Sequence, residues 1–157
     1  MIFITVGTQD KQFTRLFQII DKAIDSNIIT DEVIAQIGNT KYKSKNIKTY
    51  KFMSDKRLNE YIDNADLIVT HGGIGILSTS LCKKKKIFAM PRLKVYKEHV
   101  NDHQDQIVNK FSELGYIKKI NSYDEFVKEY KKLDKFKPSF PVFNNDKIIN
   151  IISNFIN

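Results

Sequence analysis

Cysteine is almost missing from this 157-residue chain: Cys82 stands alone, so no disulfide framework can form and the usage fits a reducing compartment. Cys82 lies in an apolar helical stretch and is expected to be a small core residue, not a nucleophile. Long apolar runs are also missing. Ile2 to Val6, closed by Gly7, is far too short for a signal or a membrane span. The expectation is a cytoplasmic chain whose membrane contacts come from a partner or from surface charge. No glycine loop is followed by the lysine and hydroxyl pair of a nucleoside-triphosphate hydrolase. No serine or cysteine has a nucleophile elbow around it, and a hydrolase triad is not indicated. There is no internal repeat, and Lys83-Lys84-Lys85-Lys86 is the one low-complexity run.

What is present describes one ordinary globular domain, with 41% hydrophobic and 28% charged residues. The net charge of +8 raises the question of nucleic acid. The basic residues are spread along the chain without a base-reading motif, so no nucleic-acid partner is expected. The lysine run falls where a helix should end, a position that suits cations. It reads as a solvated face, with attraction to an anionic membrane surface as its functional alternative.

Strand-like and helix-like segments alternate throughout. Ile2 to Val6, Val33 to Ile37, Ile47 to Phe52, Leu67 to Thr70, Ile87 to Met90 and Tyr116 to Ile120 read as strands. Phe13, Leu16, Phe17, Ile20 and Ile24 follow helical spacing. Ser54 is placed to cap a helix through Ala65. Further helices are expected from Ile74 to Lys83, from Asn101 to about Leu114, and from the capping box beginning at Ser122. The pattern predicts an α/β fold, a doubly wound and mostly parallel sheet. Residues 134 to 143 loosen, with Pro138 and Pro141 forbidding a regular helix. Ile148, Ile149, Ile152, Phe155 and Ile156 then form one more apolar helical face, suited to the core or to another subunit.

In open α/β sheets, ligands bind beyond the carboxyl ends of the strands. Three polar loops fall there: Gly7-Thr8-Gln9, the His71 to Gly75 turn, and Pro91 to Gln104. The turn brings three glycines to a helix start, where backbone N–H groups can cradle an anion. The third loop supplies amide, carboxylate and imidazole groups able to grip hydroxyls. A phosphate cradle beside a polyol clamp points to a nucleotide-sugar. A dinucleotide is disfavoured, because the turn follows the fourth strand and no acid sits about twenty residues on. His99 and His103, four apart, could suggest zinc with His71. Asn101 as the helix cap would leave His99 outside the helix, and no metal is expected.

The stretches Met1 to Gln9, Phe13-x-Arg15-Leu16, Ala35-Gln36-Ile37-Gly38, Ala65 to Gly73, Pro91-Arg92 and Glu98-His99-x-Asn101-Asp102-His103-Gln104 occur in an order that resembles a known family. It is the donor-binding C-terminal lobe of the GT-B glycosyltransferases of family 28, above all its short, split members. Some of those act on dolichol-linked GlcNAc, and bacterial counterparts build capsular or exopolysaccharide units. The likeness covers residues 1 to about 120.

The resemblance implies a Rossmann-like single lobe of a GT-B architecture over residues 1–157, with a core to 133 and a C-terminal extension from 134 to 157. It implies an inverting transfer from a UDP-sugar to a lipid-linked saccharide, with no cofactor or metal. Gly72, Gly73 and Gly75 would receive the diphosphate, with His71 beside them. Asp102 and Gln104 would hold the donor sugar's hydroxyls. Arg92, Glu98, His99 and His103 would line the same pocket, and Thr8 and Gln9 would face it. The acceptor site and the general base would belong to a membrane-associated partner, keeping this chain peripheral at the inner face of the membrane. Two departures stand out: Ile76 replaces a hydroxyl residue in the turn, and Thr79 replaces an acidic ribose ligand. Both weaken the assignment of the nucleotide to uridine without abolishing the cradle, and Ile76 keeps open the alternative of a non-catalytic nucleotide-sugar-binding or scaffolding subunit.

Overall fold

The computed structural model describes residues 1–140 and 150. The C-terminal apolar face around Ile148 to Ile156 lies outside the described residues, Asn150 excepted. The elements follow the alternation: β1 (Ile2–Thr5), α1 (Thr14–Asp25), β2 (Val33–Gln36), β3 (Lys48–Tyr50), α2 (Asp55–Asn64), β4 (Leu67–Thr70), α3 (Ile74–Cys82), β5 (Lys86–Ala89), α4 (His103–Glu113), β6 (Lys118–Lys119) and α5 (Tyr123–Tyr130). The six strands make one sheet in the order β3-β2-β1-β4-β5-β6, every pairing parallel. This is the doubly wound order, whose direction reverses between β1 and β4.

Strands buried on both faces must be apolar on both faces. Every residue of β1, β2 and β4 is accordingly buried. Ile2, Ile4, Val33, Ala35, Leu67, Val69 and Phe88 point to one side, where Leu16, Phe17 and Ile20 of α1 and Phe126 of α5 cover them. Phe3, Ile34, Ile68 and Ile87 point to the other, beneath Ile62 of α2, Leu77 and Leu81 of α3, and Val108 and Phe111 of α4. The Ser54 and Ser122 hydroxyls accept the Arg57 and Glu125 N–H groups at 3.3 and 3.2 Å, capping α2 and α5 as the sequence predicts.

Some expectations are corrected. The Asn101 side chain accepts the His103 N–H at 3.1 Å, a local turn that delays α4 to His103. β6 is confined to Lys118–Lys119, with Ile117 and Ile120 on either side of it buried in the two cores. Cys82 is exposed, since α3 buries Leu77, Ser80 and Leu81 and the next residue rotates outward. The lysine run is not simply solvated. Lys85 Nζ donates to the Asp63 and Ala65 carbonyls at 2.6 and 3.1 Å, closing the end of α2, and Lys86 Nζ donates to the Leu133 carbonyl.

Candidate donor-binding site

A cavity of about 510 Å³ opens at the carboxyl ends of β1 and β4, where the sheet order reverses. Thr8, Gln9, His71, Gly73 and Gly75 line it, together with Thr5, Gln36, Ile76 and Thr79; Asp55, Leu58, Asn59 and Ile62 of α2 close its side. The first of these groups belongs to the sequence-predicted site. The α2 residues were not legible in the sequence, since only the β3–α2 crossover brings them over the turn. Gln36 had a signal: it ends a strand and is buried there. Its amide donates to Thr5 Oγ1 at 3.5 Å and accepts the Met53 N–H at 2.9 Å.

The turn between β4 and α3 depends on its glycines. Gly72 has φ +90°, and a Cβ there would collide with Val108. A Cβ on Gly7 or Gly73 would come within 2.8 or 2.5 Å of His71 Nε2, so the imidazole occupies the space that two missing side chains leave. Gly73 starts α3 with no side-chain cap. The first N–H groups of α3 therefore have no partner within the helix and carry the positive end of its dipole. Gly75, one position into α3, has open space where a Cβ would be.

His71 is buried. Its Nδ1 lies 3.3 Å from the Thr5 carbonyl and 3.2 Å from Thr70 Oγ1. A carbonyl only accepts, so Nδ1 carries the proton and Nε2 is left as an acceptor. Burial, then the nearby Arg92 guanidinium, push its pKa down to about 4. At neutral pH the ring is uncharged and brings no positive charge to the turn.

The Pro91 to Gln104 loop is tied largely to itself and to β1. Arg92 is buried; it donates to the carbonyls of Val6, Lys11 and Glu98 at 2.9, 3.0 and 3.3 Å and lies over the Phe13 ring at 4.8 Å. Desolvation lowers its pKa to about 10, which leaves it charged. Glu98 receives two bonds from Arg15, Nε at 3.0 Å and Nη2 at 2.8 Å, and one from the Leu93 N–H. Neither residue lines the cavity: both brace the loop. His99 Nε2 sits 2.8 Å from the Gln9 amide nitrogen, and His99 Nδ1 accepts the Asn101 N–H. His99 thus meets the cavity wall through Gln9. Gln104 Oε1 accepts the Arg92 N–H at 3.2 Å, and Asp102 Oδ1 accepts the Lys94 N–H at 2.8 Å. Gln104 Nε2 and Asp102 Oδ2 make no bond within the described residues. His103 is exposed at the start of α4. Gly72, Asp102, His103 and Gln104 do not line this cavity. His99 and His103 do not share a helix face, because α4 begins at His103.

Residues 1–151 match the glycosyltransferase family 28 C-terminal domain. The chain belongs to that family. Within it, the chain is similar to the UDP-N-acetylglucosamine transferase subunit ALG13 of Candida albicans, 29% identical over 87 residues, which are 52% of this chain and 28% of that protein. The chain thus spans well under a third of that relative's length. A solution structure of ALG13 superposes with TM-score 0.65 at 21% identity, covering 99% of this chain and 96% of the other. The glycotransferase of kitacinnamycin superposes with TM-score 0.64 at 16% identity, covering 98% of this chain and 37% of the other. These two likenesses establish the fold, a single Rossmann-like lobe of the kind that GT-B enzymes carry.

Proposed function

We propose that this family 28 lobe binds a UDP-sugar and supplies the donor half of an inverting hexosyltransferase. Its acceptor is a lipid-linked saccharide, in capsular or exopolysaccharide assembly. The observation that carries this reading is the uncapped start of α3, set beside a neutral imidazole at the β1/β4 reversal. There the helix N–H groups would hold the diphosphate, and the dipole would stabilise the departing UDP without a metal. His71 Nε2, an acceptor, suits a hydroxyl or a protonated phosphate oxygen. Asp102 Oδ2 and Gln104 Nε2 are left to reach the sugar hydroxyls. Arg15, Arg92 and Glu98 hold the loop that carries them. A membrane-associated partner lobe, seated over the cavity, would bring the acceptor and the base that deprotonates its hydroxyl. This chain would then be peripheral at the inner face of the membrane.

The test is protection by UDP against unfolding of the chain alone. At a hundredfold excess over the dissociation constant, binding stabilises by about 2.7 kcal/mol. No protection by UDP or UDP-sugars would remove the donor-lobe reading. Protection without transfer, in the presence of partner and labelled donor, would favour a non-catalytic subunit. Replacement of a turn hydroxyl by Ile76 is the feature consistent with that second reading.

A further inference from the structure

Large apolar side chains on a small domain are mostly buried, and the exceptions cluster. Among the described residues Phe52, Val95, Tyr96 and Val100 are the exposed large hydrophobics. Three of them fall between β5 and α4, at 77%, 57% and 68% exposure respectively. Their loop is rigidly built. A 3-10 turn spans Lys94–Tyr96, and Lys97 takes the left-handed conformation, φ +57°. Asp102 and Glu98 accept the Lys94 and Leu93 N–H groups, and the Arg15 guanidinium lies 4.6 Å over the Tyr96 ring. Nothing in this bracing buries the three apolar tips. It holds them outward.

The charge at this end of the sheet is predominantly positive. Apart from the buried Arg92 and Glu98, the loops that follow the strands carry Lys11, Lys41, Lys43, Lys45, Lys51, Lys94 and Lys97 against Asp10 and Asp102. The lysine run Lys83–Lys86 sits at the other edge of the sheet, where Lys83 pairs with Asp63 at 2.6 Å and Lys85 and Lys86 bond carbonyls. We propose that the Lys94–Val100 loop docks this chain directly on an anionic lipid bilayer. Val95, Tyr96 and Val100 enter the headgroup boundary, and Lys94 and Lys97 meet the lipid phosphates. Tyr suits that depth, with an apolar ring and a polar tip. Each nearby lysine adds attraction that salt screens. Three side chains fall far short of the ~800 Å² per partner that a stable protein interface buries, but they suffice for a shallow anchor. The inference goes beyond the partner-mediated recruitment proposed above and does not depend on donor binding.

The chain contains no tryptophan, so Tyr96→Trp gives a single emission reporter while keeping an aromatic ring under Arg15. With the full chain, vesicles of phosphatidylcholine and phosphatidylglycerol should shift that emission to the blue, and lipids brominated along the acyl chain should quench it. Pure phosphatidylcholine vesicles should bind at least tenfold more weakly, and added salt should release the protein. Val95→Ser with Val100→Ser, at exposed positions, should keep the thermal midpoint and lower vesicle partitioning at least tenfold. Neutralising Lys83 and Lys84 should change it less than twofold. Absence of vesicle binding would overturn the proposal. So would vesicle binding that leaves the indole emission of the Tyr96→Trp variant unmoved, binding that the serine pair leaves intact, or an emission shift seen only with a protein partner.

Discussion

The two loops that follow the neighbouring strands β4 and β5 treat their polar groups in opposite ways. The Pro91 to Gln104 loop satisfies most of its own: Arg92 bonds three carbonyls, and Glu98 takes three N–H bonds. The His71 to Gly75 turn leaves its polar groups open, with an uncapped helix start and a free imidazole acceptor. One loop is a frame and the other a receptor. A charged side chain in a candidate pocket is therefore no guide to contact with ligand until its partners inside the protein are counted.

Four substitutions or conditions would break or sharpen that contrast. The largest effect is expected at the frame. Glu98→Ala leaves the Arg15 guanidinium and the Leu93 N–H without their acceptor, removes the negative charge that faces buried Arg92, and should cost about 3–5 kcal/mol in urea unfolding. A loss below about 1 kcal/mol would mean that the loop does not need its carboxylate. Next comes pH. The folded chain holds His71 neutral down to about 4, whereas the unfolded chain takes up that proton near 6.5. Stability should hold above pH 6.5, fall as pH drops toward 4, and lose about 3 kcal/mol in all. His71→Gln should flatten that slope; an unchanged slope would place the titration elsewhere. Gly72→Ala, forced to φ +90° against Val108, should destabilise by about 2–3 kcal/mol. Gly75→Ala, with open space around it, should shift the midpoint by less than about 1 kcal/mol. It should still weaken UDP protection if the helix start is the receptor, and equal protection would argue against that assignment.

Much of the fold was legible because period and burial coincide. Fully apolar strands such as Ile2 to Thr5 and amphipathic helices such as Thr14 to Asp25 announce a doubly wound sheet in one dimension. The turn itself was legible as well, since glycines between an apolar strand and a helical pattern mark a tight connection. What stayed hidden depends on contacts distant in sequence. Arg15 and Glu98 meet across 83 residues, and α2 reaches the cavity only through a crossover. Cys82 was misplaced for a smaller reason: an apolar stretch of nine helical residues has an outer face too.

The His71 ring, wedged between Gly7 and Gly73, has a mechanical consequence. Gly7 leads to Gln9, Gln9 touches His99, and His99 sits on the braced loop. The three loops therefore form a linkage with the imidazole as its pin. A pull on the α3 turn would be felt at the far loop with little slack, and enlarging the pin or shrinking it would loosen all three together.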